Sequence, residues 1–399
     1  MAVRKKRSGY LWRRIAISAV IAAAAVSGIF WKFSEPGAPA DKAVHTAPGQ
    51  NSLTALQCAA RLPLAEQAGQ VLMVGLTAKS MSEQAAVFKR YHVGGAVIMT
   101  SPDNPADDSI NIFKTTGGSK NIPLLISTDE EGGQVQRFKS LGLLPAPADM
   151  AGLHTASQAQ AVIAAHAKKL KAVGVDMVLG PLADVAPENG DSPLGDRIFS
   201  SDPQVVSNYD LAYVRGWQAG GLLPTLKHFP GMGSASGNTD FQPATTPPLS
   251  QLKERDFIPY RNLPASGTAI MVGNQSVPGW SDGPASLSPV VYKYLRDTLG
   301  LKDSLIITDS LAAQAVNGQI SVSGAVVQAI AAGGDVAIVV DPHVDKITVQ
   351  ENTALIKQSV LSLEAAVSDG KVPRQRLAQA AQHKLAAQKI SPCALLKAG

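Results

Sequence analysis

From residue 53 onward the chain alternates between two kinds of pattern. Short apolar runs rich in β-branched residues, each bounded by glycine, proline or polar residues, recur at 71–76, 95–99, 124–127, 177–180, 225–228, 269–273, 305–308 and 336–340. Runs of that length and composition predict strands. Between them lie stretches with helical spacing of apolar positions, at 83–91, 157–173, 204–218, 289–299 and 324–332, then 352–367 and 375–388. The segment between the second and third runs carries the faintest helical pattern. Apart from Lys227 and His228 at the end of the fifth, the runs are predominantly apolar, as expected of strands buried on both faces in a parallel sheet covered by helices. Eight such units predict an α/β fold of the (β/α)₈ TIM type, with its chemistry at the carboxyl ends of the strands. An open doubly wound sheet is the competing architecture, but the first run is not followed by the G-x-G-x-x-G of dinucleotide-binding sheets.

The first 33 residues have a different pattern. Arg4, Lys5, Lys6, Arg7, Arg13 and Arg14 precede an uncharged, mostly apolar run over 15–31, and Lys32 closes it. At ~1.5 Å per residue this run spans about 26 Å, against ~30 Å for a bilayer's hydrocarbon core. Residues 1–33 therefore read as a membrane anchor or as a signal segment cleaved after the A-x-A-like Ala38-Pro39-Ala40, and both readings stay open. In either case the basic flank stays in the cytosol and the rest is exported, giving an extracytoplasmic protein, anchored or secreted. No cysteine closely follows the apolar run, so lipoprotein processing is not indicated. Residues 34–52, rich in Pro, Ala and Gly without periodicity, read as a flexible linker, leaving 53–399 as the folded domain.

Charge and cysteine content narrow the class. The net charge is +5 and residues 1–33 hold seven Lys/Arg and no acids, so the remainder sums to 5 − 7 = −2. The basic balance belongs to the leader and does not argue for nucleic-acid binding. The two cysteines, Cys58 and Cys393, lie near the two ends of the folded region. One structural disulfide suits an exported barrel whose termini lie close together; two separate buried thiols are the alternative. Neither cysteine has metal-ligand neighbours, and no metal site is expected.

Polar residues cluster just after the predicted strands. The third is followed by Asp129-Glu130-Glu131-Gly132-Gly133-Gln134-Val135-Gln136-Arg137, and the fourth by Asp184 and then Arg197-Ile198-Phe199-Ser200-Ser201-Asp202-Pro203. The fifth runs into Lys227-His228-Phe229-Pro230-Gly231-Met232-Gly233, and the seventh into Thr308-Asp309-Ser310-Leu311. Acids and forked arginines at a barrel mouth suit charge-assisted hydrogen bonds to sugar hydroxyls.

These four runs, in this order, resemble glycoside hydrolase family 3, most closely its single-domain bacterial β-N-acetylglucosaminidases. The resemblance spans most of residues 56–385. It implies a retaining exo-glycosidase that removes terminal β-linked N-acetylglucosamine, from peptidoglycan fragments, without a metal or organic cofactor. It also implies Asp309 as the nucleophile, with Asp129, Arg137, Arg197, Lys227 and His228 holding the sugar. Asp184 reads as structural. The expected partners are a carbohydrate substrate and, through the N-terminal segment, the membrane; nucleic acid is not expected, and the chain is expected to act as a monomer.

One part of the pattern is missing. The resembled enzymes read K-H-F-P-G-H-G and then D-S-H, whose last histidine donates the proton to the leaving group. Here Met232 stands at the first loop histidine and Asp240-Phe241-Gln242 at the second motif. A glutamine amide does not titrate near neutrality, so Gln242 cannot take over that task. Asp240 is then the candidate acid/base. The alternative is a catalytically impaired, envelope-anchored carbohydrate-binding pseudo-enzyme. His343, just after the eighth strand, is the one other histidine near the correct face. The loop over 231–246, rich in Gly, Ser, Ala and Thr, has the composition of a mobile lid.

Overall fold

The computed structural model describes residues 53–398, apart from 105–106, 120, 263–266 and 342. The expected membrane or signal segment, 1–33, and the expected linker, 34–52, lie outside the described residues. Among the described residues no helix is long and apolar enough to cross a membrane.

Eight parallel strands close into a barrel: β1 (Leu72–Thr77), β2 (Gly95–Thr100), β3 (Leu125–Thr128), β4 (Met177–Val178), β5 (Leu223–Phe229), β6 (Ala269–Val272), β7 (Ile306–Ser310) and β8 (Val336–Val339). Each pairs with its sequence neighbours, and β8 returns to β1 through Leu72 opposite Ala337 and Val74 opposite Val339. All eight expected strands are present. The helices Met81–Arg90, Ala156–Ala172, Pro203–Ala219, Val322–Ala332, Val349–Ser368 and Arg374–Ala387 also lie where the spacing puts them. The faint pattern between β2 and β3 forms the helix Ser109–Thr116. Between β5 and β6 two short helices, Leu249–Glu254 and Ile258–Asn262, take the outer position. They lack enough turns to show a period in sequence.

The strands separate two apolar layers by their two-residue period. Met73, Val97, Leu125, Met177, Met271, Ile307 and Ile338 pack together inside the barrel. Their neighbours Leu72, Val74, Ala96, Ile98, Ile126, Ala337 and Val339 pack outward against the helices. Both faces are buried, which is why the runs read as continuously apolar.

The amino end of the barrel is held by ion pairs between side chains. Asp335, just before β8, has no solvent exposure and accepts hydrogen bonds from Arg376 at 2.8 Å and from the backbone N–H of Ile306 at 2.9 Å. Arg296 and the His383 ring also pair with it. Burial alone would raise its pKa, but the hydrogen bond and charge of His383, with both arginines, outweigh burial and hold the carboxyl below its ordinary value. Cys58 and Cys393 are joined by a disulfide across 335 positions of sequence. Closing a loop that long removes on the order of 5 kcal/mol of chain entropy from the unfolded state in the simple loop model.

Candidate active site

The strand period also builds the opposite end. On β3 the inward column Leu125, Ser127 continues to Asp129; on β5 Leu223, Thr225 continues to Lys227; on β7 Leu305, Ile307 continues to Asp309. Three charged residues thus rise from the inner wall at the carboxyl ends, above a floor of Val97, Leu179, Met271, Ile338 and Val340. The cavity there is about 250 Å³, room for roughly one sugar ring.

The run after β3 folds back on itself. Glu130–Gly132 pairs antiparallel with Val135–Gln136. Gly132 and Gly133 turn it with φ of 108° and 58°, and a Cβ at Gly132 would come within 2.1 Å of the Pro145 carbonyl oxygen. The reversal brings Arg137 back to Asp129, with Nη2 3.4 Å from Oδ2. The three consecutive acids then divide their tasks. Glu130 points away from the cavity, accepts from the backbone N–H groups of Arg137 and Phe138 at 3.0 Å, and lies 2.8 Å from Nε2 of His166. It braces the hairpin, whereas Asp129 and Glu131 face Lys227.

Lys227 is only 3% exposed, and its Nζ lies 2.8 Å from Asp129 and 2.6 Å from Glu131. From a 3₁₀ turn, Gly195–Arg197, Arg197 grips Glu131 with both prongs of its fork, Nε to Oε2 at 2.8 Å and Nη2 to Oε1 at 2.9 Å. Asp202 faces elsewhere and caps the following helix through the N–H of Gln204. Burial would raise both carboxyls, but Lys227 foremost, with Arg137 and Arg197 at Asp129 and Arg197 at Glu131, holds them below their ordinary values. The two carboxylates in turn raise Lys227 against the desolvation that would lower it.

This chain of charges is held before any substrate arrives, and its weight in folding can be measured. Lys227→Met should cost about 3–5 kcal/mol at pH 7, because it leaves two buried carboxylates short of a cation. Carboxyls depressed in the folded state contribute stability above their unfolded pKa and lose it as pH falls. With the lysine gone, protonation relieves the remaining anions, so the deficit of K227M against wild type should shrink at pH 4. Urea unfolding at the two pH values tests this; equal deficits would contradict the charge account.

His228 follows Lys227 and also lines the cavity. Its Nδ1 lies 2.8 Å from Asp184, a fully buried carboxylate that also receives the backbone N–H of His228 at 3.2 Å and of Met232 at 2.6 Å. A carboxylate oxygen only accepts, so the His228 ring donates from Nδ1 to Asp184. Asp184, read as structural from sequence, is the residue that orients His228 and the start of the next loop.

That loop, 231–246, is tied down rather than free. Met232 is buried with Leu182, Leu194, Ile198, Ala235 and Ala244 in a small apolar cluster. Gly233 lets the backbone press against the exit of β4, where a Cβ would meet the Val185 carbonyl oxygen at 2.1 Å. The stem pairs Thr246 N–H with Ser276 and Ser276 N–H with Ala244. At the tip, Ala315 and Gln314 donate to the carbonyls of Thr239 and Asp240, both at 3.1 Å, fastening it to the turn beyond β7. Composition misled here because these restraints are backbone hydrogen bonds and one packed methionine.

The pinned tip sets Asp240 in the cavity wall with Asp309. Asp240 keeps access to solvent, yet the protein around it and then the neighbouring Asp309 carboxylate raise its pKa, with His228 and Arg197 opposing. The Gln242 amide folds back against Gly237, where a Cβ would lie 2.2 Å from Nε2, and is not part of the cavity. Asp309 is half-buried and its Oδ1 accepts from the N–H of Ser310 at 2.7 Å. Ser310 bonds the backbone of Val340 on both sides, at 2.7 and 3.0 Å, fixing the β7 and β8 ends together.

The cavity therefore brings together Asp129, Arg137, Arg197, Lys227, His228, Asp240 and Asp309. Sequence reasoning gave no role to Glu131 and passed over Asp341, which lines the cavity directly after β8. Its position immediately past an apolar run was the available signal. The His343 side chain is 71% exposed and outside the cavity. A larger cleft of about 1020 Å³ lies at the amino ends of the strands, among Leu125, Leu223, Thr268 and Leu305, the end where barrels carry stability rather than chemistry. Among the described residues no cluster could hold a metal ion.

Residues 63–387 match the glycosyl hydrolase family 3 N-terminal domain. The chain is 34% identical over 317 residues to the beta-hexosaminidase LpqI of Mycobacterium tuberculosis, covering 77% of this chain and 78% of that protein. It is similar to the crystal structure of a GH3-family glycosyl hydrolase from Mycobacterium smegmatis, with a TM-score of 0.74, 35% identity, and 82% and 98% of the two chains covered. A family 3 beta-N-acetylglucosaminidase from a Paenibacillus species superposes with a TM-score of 0.74 at 27% identity, over 84% of this chain and 63% of the other.

Proposed function

The chain belongs to glycosyl hydrolase family 3, and on that premise we propose that it is a retaining exo-glycosidase releasing terminal β-linked N-acetylglucosamine from peptidoglycan fragments. The observation that carries this reading is the pairing of Asp309 with a second carboxyl, Asp240, whose pKa is raised in the same cavity wall. A glycosidase needs one carboxylate to attack and one protonated group to donate, and environments that separate two carboxyls supply both.

In this mechanism the Asp309 carboxylate attacks the anomeric carbon as the glycosidic C–O bond breaks. The departing oxygen takes the Asp240 proton. Water then attacks the glycosyl ester, gives its proton to Asp240, and frees Asp309 with the β-configuration retained. Asp129, Arg137, Arg197, Lys227 and His228 hold the sugar hydroxyls, supported by Glu131 and Asp184. The relatives' names, beta-hexosaminidase and beta-N-acetylglucosaminidase, support the choice of sugar. The one-ring cavity supports attack at chain ends. The basic N-terminal pattern and the disulfide support an extracytoplasmic setting, where wall fragments are found.

The test compares an activated aryl β-N-acetylglucosaminide with a natural disaccharide fragment. Turnover of both is expected. Turnover of the aryl substrate alone would mean that proton donation is crippled, as the Gln242 substitution of the family motif suggests. Sugar binding without cleavage of either would replace the proposal by the pseudo-enzyme.

A further inference from the structure

Phe241 follows Asp240 at the tip of the loop after β5, and its side chain is 75% exposed while lining the cavity mouth. Among the described residues it is the one aromatic among the strongly exposed large apolar side chains; the others, such as Leu143 and Leu153, lie away from the cavity. Its position is not left to a loose loop. The N–H of Phe241 donates to the Asn238 carbonyl at 3.2 Å, and that of Asp240 to the Asn238 side chain at 2.9 Å. Thr239 and Asp240 are themselves fastened by Ala315 and Gln314. A rigid backbone thus presents an apolar ring to water beside the carboxyl that protonates the leaving oxygen. Such a ring is unfavourable in the free protein and becomes favourable once a ligand covers it.

The cavity geometry identifies that ligand. Val97, Leu179, Met271 and Ile338 close the floor, so a sugar bound there has one way out, at the rim where Asp240 and Asp309 stand. Whatever is attached to the anomeric carbon must leave past Asp240 and meet Phe241. Building on the glycosidase reading above, we propose that Phe241 is the platform for the leaving group, stacking against the apolar face of the first sugar beyond the scissile bond. The loop that carries Gln242 at the family's histidine position then offers a recognition element at the residue before it, so the loop selects for a ring-shaped leaving group rather than for a small one. Aromatic faces stack with ring partners for a contribution of the size of a weak hydrogen bond, which converts to roughly a three- to tenfold effect.

The experiment uses the full chain and two substrates with the same glycosyl unit. One is an N-acetylglucosamine-terminated disaccharide; the other is N-acetyl-β-glucosaminyl fluoride, whose leaving atom is too small to reach Phe241. The ratio of kcat/KM for disaccharide over fluoride should fall about three- to tenfold in F241A and return in F241W. An unchanged or rising ratio in F241A, or no recovery in F241W, overturns the platform. If wild type cleaves neither substrate, the glycosidase reading is what fails. The platform is then decided by calorimetry: it requires F241A to weaken disaccharide binding more than binding of free N-acetylglucosamine, and equal weakening refutes it.

Discussion

Asp309→Ala is expected to reduce turnover of an aryl β-N-acetylglucosaminide by on the order of 10⁴-fold or more, with thermal stability close to wild type. Loss of a covalent nucleophile costs this much because the remaining site binds and orients the sugar but cannot form the ester. Stability should hold because Asp309 is half-buried, is not part of the Asp129–Lys227–Glu131–Arg197 ion chain, and accepts only from the adjacent Ser310 N–H among the hydrogen bonds described. A small added nucleophile such as azide should restore part of the rate on the activated substrate and give the α-glycosyl azide. Wild-type turnover in D309A would remove the mechanism proposed here. A collapse of stability alongside activity would mean that Asp309 supports the fold instead.

Asp240→Asn should separate substrates by their leaving groups. On a natural disaccharide the expected loss is about 10²- to 10⁴-fold, the usual contribution of a positioned general acid. On a dinitrophenyl glycoside, whose leaving group needs little protonation, the first step should change far less. The pH profile carries the second signature. A general acid works only while protonated, so wild-type rates on the disaccharide should fall as pH rises through the raised pKa of Asp240. They should also fall at low pH, where the nucleophile must be ionised. D240N should lose the alkaline limb and keep the acid one. Unchanged disaccharide turnover in D240N would assign the proton to another group. Gln242→His then becomes the informative variant: a rate gain identifies the proton donor that this loop gave up.

Much of the architecture was legible in the sequence, for reasons that particular elements make plain. The runs ending at Leu76, Met99 and Val340 are apolar at every position because one set of side chains fills the barrel and the alternate set meets the helices. That pattern survives in a single sequence. The helices that carry His166 and Tyr213 are long enough to show their period, whereas the short helices before β6 are not. Asp129, Lys227 and Asp309 were readable as site candidates because each is a charged residue at or just past the end of a predicted strand.

The charge partners were less accessible. Glu130 and Glu131 are adjacent acids, yet one braces a hairpin and the other binds Lys227, a division set by the short strand Glu130–Gly132, whose period sends neighbouring side chains to opposite sides. Asp184 was assigned to structure from its place after β4, but nothing local shows that it grips His228 forty-four positions later. The loop after β5 has the composition of a lid and the restraints of a scaffold, since its anchors belong to Ser276, Gln314 and Ala315 on other barrel units.

By itself the sequence determined the alternation of strand and helix, the parallel barrel that this alternation requires, the end of the barrel that carries chemistry, and the residue types available there. These follow from periodicity and spacing, which are properties of neighbours along the chain. The tertiary structure alone decided which acid meets which base, that the loop bearing Asp240 and Phe241 is fastened at its tip, and that the protein packed around the solvent-accessible Asp240, together with Asp309, raises its proton affinity. Those are properties of distance and solvent access between residues far apart in sequence, and they exist only once the barrel has closed.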